Sequence, residues 1–224
     1  MGTGTSQIPR HVLRRYGSQN CLSAEVDHRS KSLSARHLRR ARDEQQSEVC
    51  FLKTNRQRIR LVKLTWKRAG ERDVGLSLLA NLLCQKPVLA RNFGIREGMS
   101  SAELKTEGII IKSAKKIERF LDALVQSFNH PSETQRLQNL CRQVGEIHYM
   151  KGVNFGKENW AAFRLAAVEE ILSPVVINVV GKEIGHVNLQ AAKQAWAALM
   201  DTIIMEMKNG FIKEVNKHCA PDLD

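Results

Sequence analysis

The sequence predicts an all-α domain of about 160 residues behind a basic leader without a core of its own. Three observations carry this. The 224-residue chain is 42% hydrophobic, only 5% aromatic and 26% charged. Its wealth of Ala, Leu, Lys, Glu, Gln and Arg favours helices over a β-sandwich. From about Gln57 apolar residues recur at helical spacing, with no internal repeat. Before that point Gly, Ser, Arg and Gln dominate and apolar residues are isolated, too few to offset chain entropy, so residues 1–56 are expected to be disordered. Within them, Leu33 to Glu48 could form a transient basic helix.

The leader is also where charge concentrates. Residues 1–56 hold eleven Lys/Arg against five acids, half of the chain's net +12. Five cysteines (Cys21, Cys50, Cys84, Cys141, Cys219) are scattered without a CxxC pair, which argues against a disulfide framework and against a thiolate zinc site. No stretch reaches the roughly 18–20 apolar residues of a membrane span. The opening MGTGTSQIPRHVLRRYG lacks the apolar run of a secretory signal.

Taken in order, the first helix is expected from Gln57 to Ala69, with Ile59, Val62 and Trp66 on one stripe and Gly70 ending it. A second, Asp73 to Gln85, aligns Val74, Leu78 and Leu82, with Leu79 and Leu83 beside them. Pro87 opens a short helical turn, where its missing N–H costs nothing, and Phe93-Gly94 follow. Ser100 and Glu103 make a capping box before a helix expected to continue through Phe128, with Ile110, Ala114, Ile117, Leu121, Leu124 and Phe128 inward. Asn129-His130-Pro131-Ser132 interrupts the pattern. The helix Glu133 to Met150 carries Leu137, Cys141, Val144 and His148 on one stripe. After Lys151-Gly152, Val153 and Phe155 comes a helix with Trp160, Phe163, Ala167 and Ile171, expected to kink or stop at Pro174. The β-branched run Val175 to Val180 reads as a loop or a frayed helical end. The last helix, Asn188 to about Glu214, stacks Leu189, Ala192, Trp196, Leu199, Ile203, Met207 and Phe211. The division is thus 1–56 leader, 57–217 helical domain of seven or eight helices, and 218–224 tail.

His148 stands on the inward stripe, where an imidazole needs a partner for each nitrogen. Within a helix one nitrogen can donate to the carbonyl one turn earlier, and the other is then a Lewis base facing inward. That is the requirement for a proximal haem ligand. A lone helical His is otherwise commonly a water-bonded surface residue, so the surrounding pattern matters.

That pattern resembles the globin family, over roughly Arg58 to Phe211. Pro87 lies six residues before Phe93, Gly75 lies twelve before Pro87, Trp66 falls in the first helix and Trp196 in the last, and His148 stands in VGEIHYMKGV. The wording is most like nematode globins. The resemblance implies a globin fold and a haem whose iron is held by His148. It implies that Phe93 stacks on the porphyrin and that Val144 and Val153 pack on the proximal side. Leu104-Lys105-Thr106-Glu107-Gly108 resembles the globin distal segment, placing Glu107 where a distal His usually stands and Ile111 toward the ligand. The apolar stripe instead favours a register one residue earlier, with Thr106 and Ile110. Leu79 stands where some nematode globins carry Tyr, so the usual distal donors are missing. Lys105, Lys112 and Met99 are near enough in sequence to supply an internal sixth ligand, whereas His130 lies beyond the helix break. Arg96 or Lys151 could pair with haem propionates.

Met1-Gly2-Thr3-Gly4-Thr5-Ser6 fits the N-myristoylation pattern at Gly2. One acyl chain anchors only marginally, and a second signal is needed. Arg10, Arg14, Arg15 and the cluster Arg36 to Arg42 could supply it by attraction to an anionic leaflet; Cys21 is a further acylation candidate, distant from Gly2. A mitochondrial transit peptide is a competing reading, opposed by Glu25 and Asp27. A nucleic-acid tail is disfavoured, since no aromatic residues are interleaved with the charge. The expectation is a haem-binding globin tethered at the cytoplasmic side of the plasma membrane, or in the cytoplasm. It would bind O2 or another diatomic ligand and serve oxygen transport, gas sensing or electron transfer with a redox or signalling partner. The alternative is a haem-free helical interaction module. No catalytic residues are expected, because no distal acid–base pair is evident.

Overall fold

A computed structural model of the chain describes residues 56–129, 132–153, 156–184 and 187–219. The leader, including Gly2, Cys21 and the Arg10 to Arg42 clusters, lies outside the described residues, as do His130 and Phe155. Among the described residues the elements are α1 (Arg56–Ala69), α2 (Val74–Gln85), a 3-10 helix (Pro87–Phe93), α3 (Ser101–Thr106), α4 (Gly108–Ser127), α5 (Glu133–Met150), α6 (Lys157–Ile171), α7 (Pro174–Ile184) and α8 (Leu189–Cys219). The architecture is all-α.

The apolar stripes close on two clusters. The larger gathers α1, the second half of α4, the first half of α5, and α6, α7 and α8 around Trp196, which is fully buried. The smaller joins α2, the 3-10 helix, α3 and the first half of α4 to Ala162 and Ala166 of α6. Ile117 and Phe163 belong to the margins of both, so they mark the seam between them. In the larger cluster the Trp196 indole N–H donates to Thr65 Oγ1 at 2.8 Å, and that hydroxyl donates to the Leu61 carbonyl at 2.7 Å. A buried indole N–H left unpaired would be costly. The Trp66 and Trp196 rings lie tilted at 6.1 Å, and Trp66 Nε1 reaches Asp122 of α4.

Two expectations fail at helix boundaries. The long helix does not run unbroken from Ser100. The capping box forms as expected, with the Glu103 amide donating to Ser100 Oγ and the Ser100 amide to the Glu103 carboxylate. Glu107 is then extended (φ −70°, ψ 120°) and α4 starts afresh at Gly108. Leu104 and Ile110 explain the break: both are buried in the smaller cluster. Six residues of unbroken helix would set them about 240° apart, on different faces; one extended residue re-aims the chain so that both point inward. The second failure is Val175 to Val180, which is helical within α7. Val176 and Val180, four apart, are buried in the larger cluster while Val175 and Val179 face outward. Burial of one helical stripe outweighs the weak β-preference of a valine run. The preceding helix does stop before Pro174, at Ile171, as expected, and Pro174 then takes the first position of α7. At the other end, α8 continues past the expected Glu214 to Cys219.

Candidate functional site

The site is positioned by one crossing. α5 packs on α8 through two glycines: a Cβ at Gly145 would lie 1.9 Å from the Met207 carbonyl oxygen, and one at Gly210 would lie 2.1 Å from that of Arg142. The two backbones therefore touch, and α5 cannot rotate without a clash. Beside the crossing the buried Glu206 carboxylate accepts hydrogen bonds from Arg142 Nε at 2.7 Å and Gln138 Nε2 at 3.1 Å. Beyond it Tyr149 meets Phe211 edge-on at 5.4 Å and stacks on His218 at 5.5 Å. Both ends of the last α5 turns are thus held to α8.

His148 sits between those anchors and is half-buried. Its Nδ1 lies 2.7 Å from the Val144 carbonyl oxygen. A carbonyl only accepts, so Nδ1 carries the proton and Nε2 is the basic nitrogen of the ring. Burial pushes the imidazole below its ordinary pKa; the bond to Val144 opposes the shift, and the charge of Lys151 adds to it. The neutral ring is the form that coordinates a metal.

The chain beyond α5 returns to this histidine. Gly152 has φ 66°, a left-handed conformation that a Cβ would strain, and the turn lets the Val153 amide donate to the His148 carbonyl at 2.9 Å. Val144, Val153 and His148 are therefore brought together, each half-buried. Phe93 ends the 3-10 helix and packs, half-buried, on the smaller cluster with Ile95, Met99 and the seam residues Ile117 and Phe163. Among the described residues no three His, Cys, Asp or Glu side chains gather as a metal-ligand set.

The expected distal residues are distributed differently. Glu107 is half-buried in the extended link and not within α4. Thr106 is exposed, with its hydroxyl donating to the Glu103 carbonyl. Ile110 is fully buried as a packing residue. Ile111 shares a flank of α4 with Glu118, seven residues on, and the Glu118 carboxylate accepts the Gly75 amide of α2 at 2.9 Å. Ile111 is thereby turned toward α2. Lys105 and Lys112 are exposed, while Met99 packs on the smaller cluster. Arg96 reaches Glu103, and Lys151 is exposed.

Two residues of α4 were not among the expected site residues, Ser113 and Ile117, the latter expected only on the inward stripe. They lie on the flank of α4 that carries Phe120 and Leu124, members of the cluster that α5 enters through Leu137, Cys141 and Val144. The register is set where α2 crosses α4: a Cβ at Gly75 would lie 2.6 Å from the Ala114 carbonyl oxygen. The signal was present in the sequence, since Gly75 marks a close crossing and Ala114 is the small residue on the α4 stripe able to meet it.

No family model matches the chain, and none of the curated proteins is detectably similar to it.

Proposed function

We propose that the chain is a haem protein of the globin type, with His148 Nε2 as the iron ligand. The observation that carries this reading is the Nδ1 to Val144 carbonyl bond on a helix pinned by glycine backbone contact. It fixes tautomer and ring direction together, which is the outer support a metal-bound imidazole needs. The surroundings fit a flat apolar group. Val144 and Val153 border the histidine, half-buried Ile117 and Phe163 lie at the seam between the two clusters, and half-buried Phe93 packs on the smaller one beside them. Haem, when bound, supplies an iron that takes a diatomic ligand such as O2 or passes single electrons.

On this reading Ser113 and Ile117 replace Glu107 and either Ile110 or Ile111 as the distal residues, and the one polar group on that flank is a short hydroxyl. Ser113 offers less to an iron-bound oxygen than an imidazole or amide, which favours sensing or electron transfer over tight O2 carriage. Lys105 and Lys112 are solvated, so Met99 is the remaining internal ligand candidate. Myristoylation at Gly2, with the basic leader, would tether the protein to the cytoplasmic membrane face, where a sensor or redox partner gains more from location than a diffusing carrier does.

The test is an optical spectrum of purified full-length protein supplied with haemin. A Soret band is expected, lost in His148→Gly and restored by added imidazole. Ser113→Leu should change ligand release from the ferrous protein while Glu107→Gln leaves it unaltered. Colourless parent protein, or a band that survives His148→Gly without imidazole, would refute the reading and leave a haem-free helical module.

A further inference from the structure

The net positive charge of residues 56–224 is concentrated on α1 and α4, on their outer faces. On α1, Arg56, Arg60, Lys63 and Lys67 fall at spacings of four, three and four, one outward stripe. On α4, Lys112, Lys115, Lys116 and Arg119 are all exposed. The two helices lie side by side: Trp66 reaches Asp122, and Lys63 Nζ reaches Asn129 Oδ1 at 2.6 Å and the Phe128 carbonyl beyond the end of α4. Asp122 and Glu118 are the only acids on these two helices, and they are taken by Trp66 Nε1 and the Gly75 amide. Together α1 and α4 hold ten basic and two acidic residues, whereas the rest of residues 56–224 holds fifteen basic and sixteen acidic.

The contrast extends to pairing. Elsewhere cations are commonly neutralised: Lys86 by Glu158, Arg91 by Glu97, Arg142 by Glu206, Arg164 by Asp201 and Lys213 by Glu146. Among the described residues none of the eight cations on the α1–α4 face is in an ion pair. Eight unneutralised charges on one surface repel one another, a cost that an anionic counter-surface removes.

We infer that the α1–α4 face docks the folded domain flat against an anionic lipid bilayer. The occupant follows from how the chain enters. α1 begins where the leader ends, and residues 1–55, with ten Lys/Arg against five acids, place a further net positive charge ahead of this face, although Asp43, Glu44 and Glu48 interrupt it. A leader held near a membrane delivers α1 first. The face is broad and lined by long, flexible side chains, with no aromatic residue among the eight to stack a base. The inference needs neither haem nor an acyl chain at Gly2.

Full-length unacylated protein would be mixed with vesicles of phosphatidylcholine alone or with about one-third phosphatidylserine, and bound protein separated by flotation. Binding is expected only to the anionic vesicles, weakening steeply as salt shortens the screening length. Arg60→Gln, Lys67→Gln, Lys115→Gln and Arg119→Gln combined should weaken it on the order of a hundredfold, short of full additivity at up to about fivefold per charge. A matched variant with Gln at Arg136, Lys157, Lys182 and Lys193, which are exposed elsewhere, should change binding less than about threefold, since charges beyond a screening length of the bilayer contribute little. Thermal melts of both variants establish that they fold. Equal losses in the two variants would reduce the effect to net charge and overturn the inference. So would preferential binding of duplex DNA or an acidic polypeptide over the anionic vesicles at matched charge. Because the protein is unacylated and the readout is not optical, failure of the Gly2 tether or of haem binding leaves this result interpretable.

Discussion

Replacing Gly210 by Ala adds one methyl group where α8 touches α5. The new Cβ would stand 2.1 Å from the Arg142 carbonyl oxygen, and the obstacle is backbone that cannot swing aside. Restoring a 3.4 Å contact requires the two helices to part by about 1.3 Å, the difference between those distances. A radial gap of 0.5–1 Å already forfeits a quarter to a half of each dispersion well along the crossing. Overpacking of this kind costs about 3 kcal/mol, against which Ala returns about 1 kcal/mol of helix propensity. The net loss of about 2 kcal/mol predicts a melting temperature about 4–8 °C lower for a domain of this size. Differential scanning calorimetry of parent and variant measures it. Gly181→Ala in α7 is the control, because nothing lies within 4 Å of its Cβ; it gains the propensity without the clash and should melt higher. The separation also moves the part of α5 that carries Val144 and His148, so on the proposed reading Gly210→Ala should weaken haem retention as well. Were Gly210→Ala to melt at or above the parent temperature, the backbone contact that orients His148 would not exist, and the geometric case for the site would fail with it.

Other expectations follow from the same contacts. The depressed pKa of His148 makes the unfolded chain the better proton acceptor below about pH 6.5, so stability of the haem-free protein should fall on acidification through that range; His148→Gln should lose that slope in urea titrations at about pH 7 and about pH 5. Arg142→Met leaves the Glu206 carboxylate buried with only Gln138 and a distant Asn209 amide, and should cost about 3 kcal/mol by chemical denaturation, whereas the double change with Glu206→Met should recover much of it. Thr65→Val strips the buried Trp196 indole of its acceptor and should destabilise by about 1–3 kcal/mol. Cys84 is exposed and Cys141 buried beside Glu206, with its thiol pushed far above the ordinary pKa, so peptide mapping after alkylation should label Cys84 in native protein and Cys141 only after unfolding.

What was legible in the sequence were features that local chemistry fixes. Helical spacing of Val62 with Trp66, Leu78 with Leu82, and Ile203 with Met207 marks the buried stripes, because a helix can hide only one side. The Ser100–Glu103 box works within one turn, as does the His148 bond to Val144, since donor and acceptor are four residues apart on the same helix. Gly75 and Ala114 were both visible as small residues, and their meeting needed only the expectation that two helices cross there.

The remainder depended on neighbours distant along the chain. That the helix breaks at Glu107 follows from Leu104 and Ile110 competing for one cluster, a demand that neither residue's surroundings in sequence reveals. The valine run becomes α7 because the larger cluster accepts Val176 and Val180, and a strand would have had no partner. The flank of α4 that faces α5 was decided by the α2 crossing, which puts Ser113 and Ile117 on it and leaves Glu107 in the link before α4. Most of the charge asymmetry lay open in composition, yet only the packing of α1 beside α4 turned two basic helices into a single face. Periodicity determines which side of each helix is hidden; which helix covers that side, and at what rotation, is settled by backbone contacts such as Gly145 with Met207, where the absence of a single Cβ lets two chains touch.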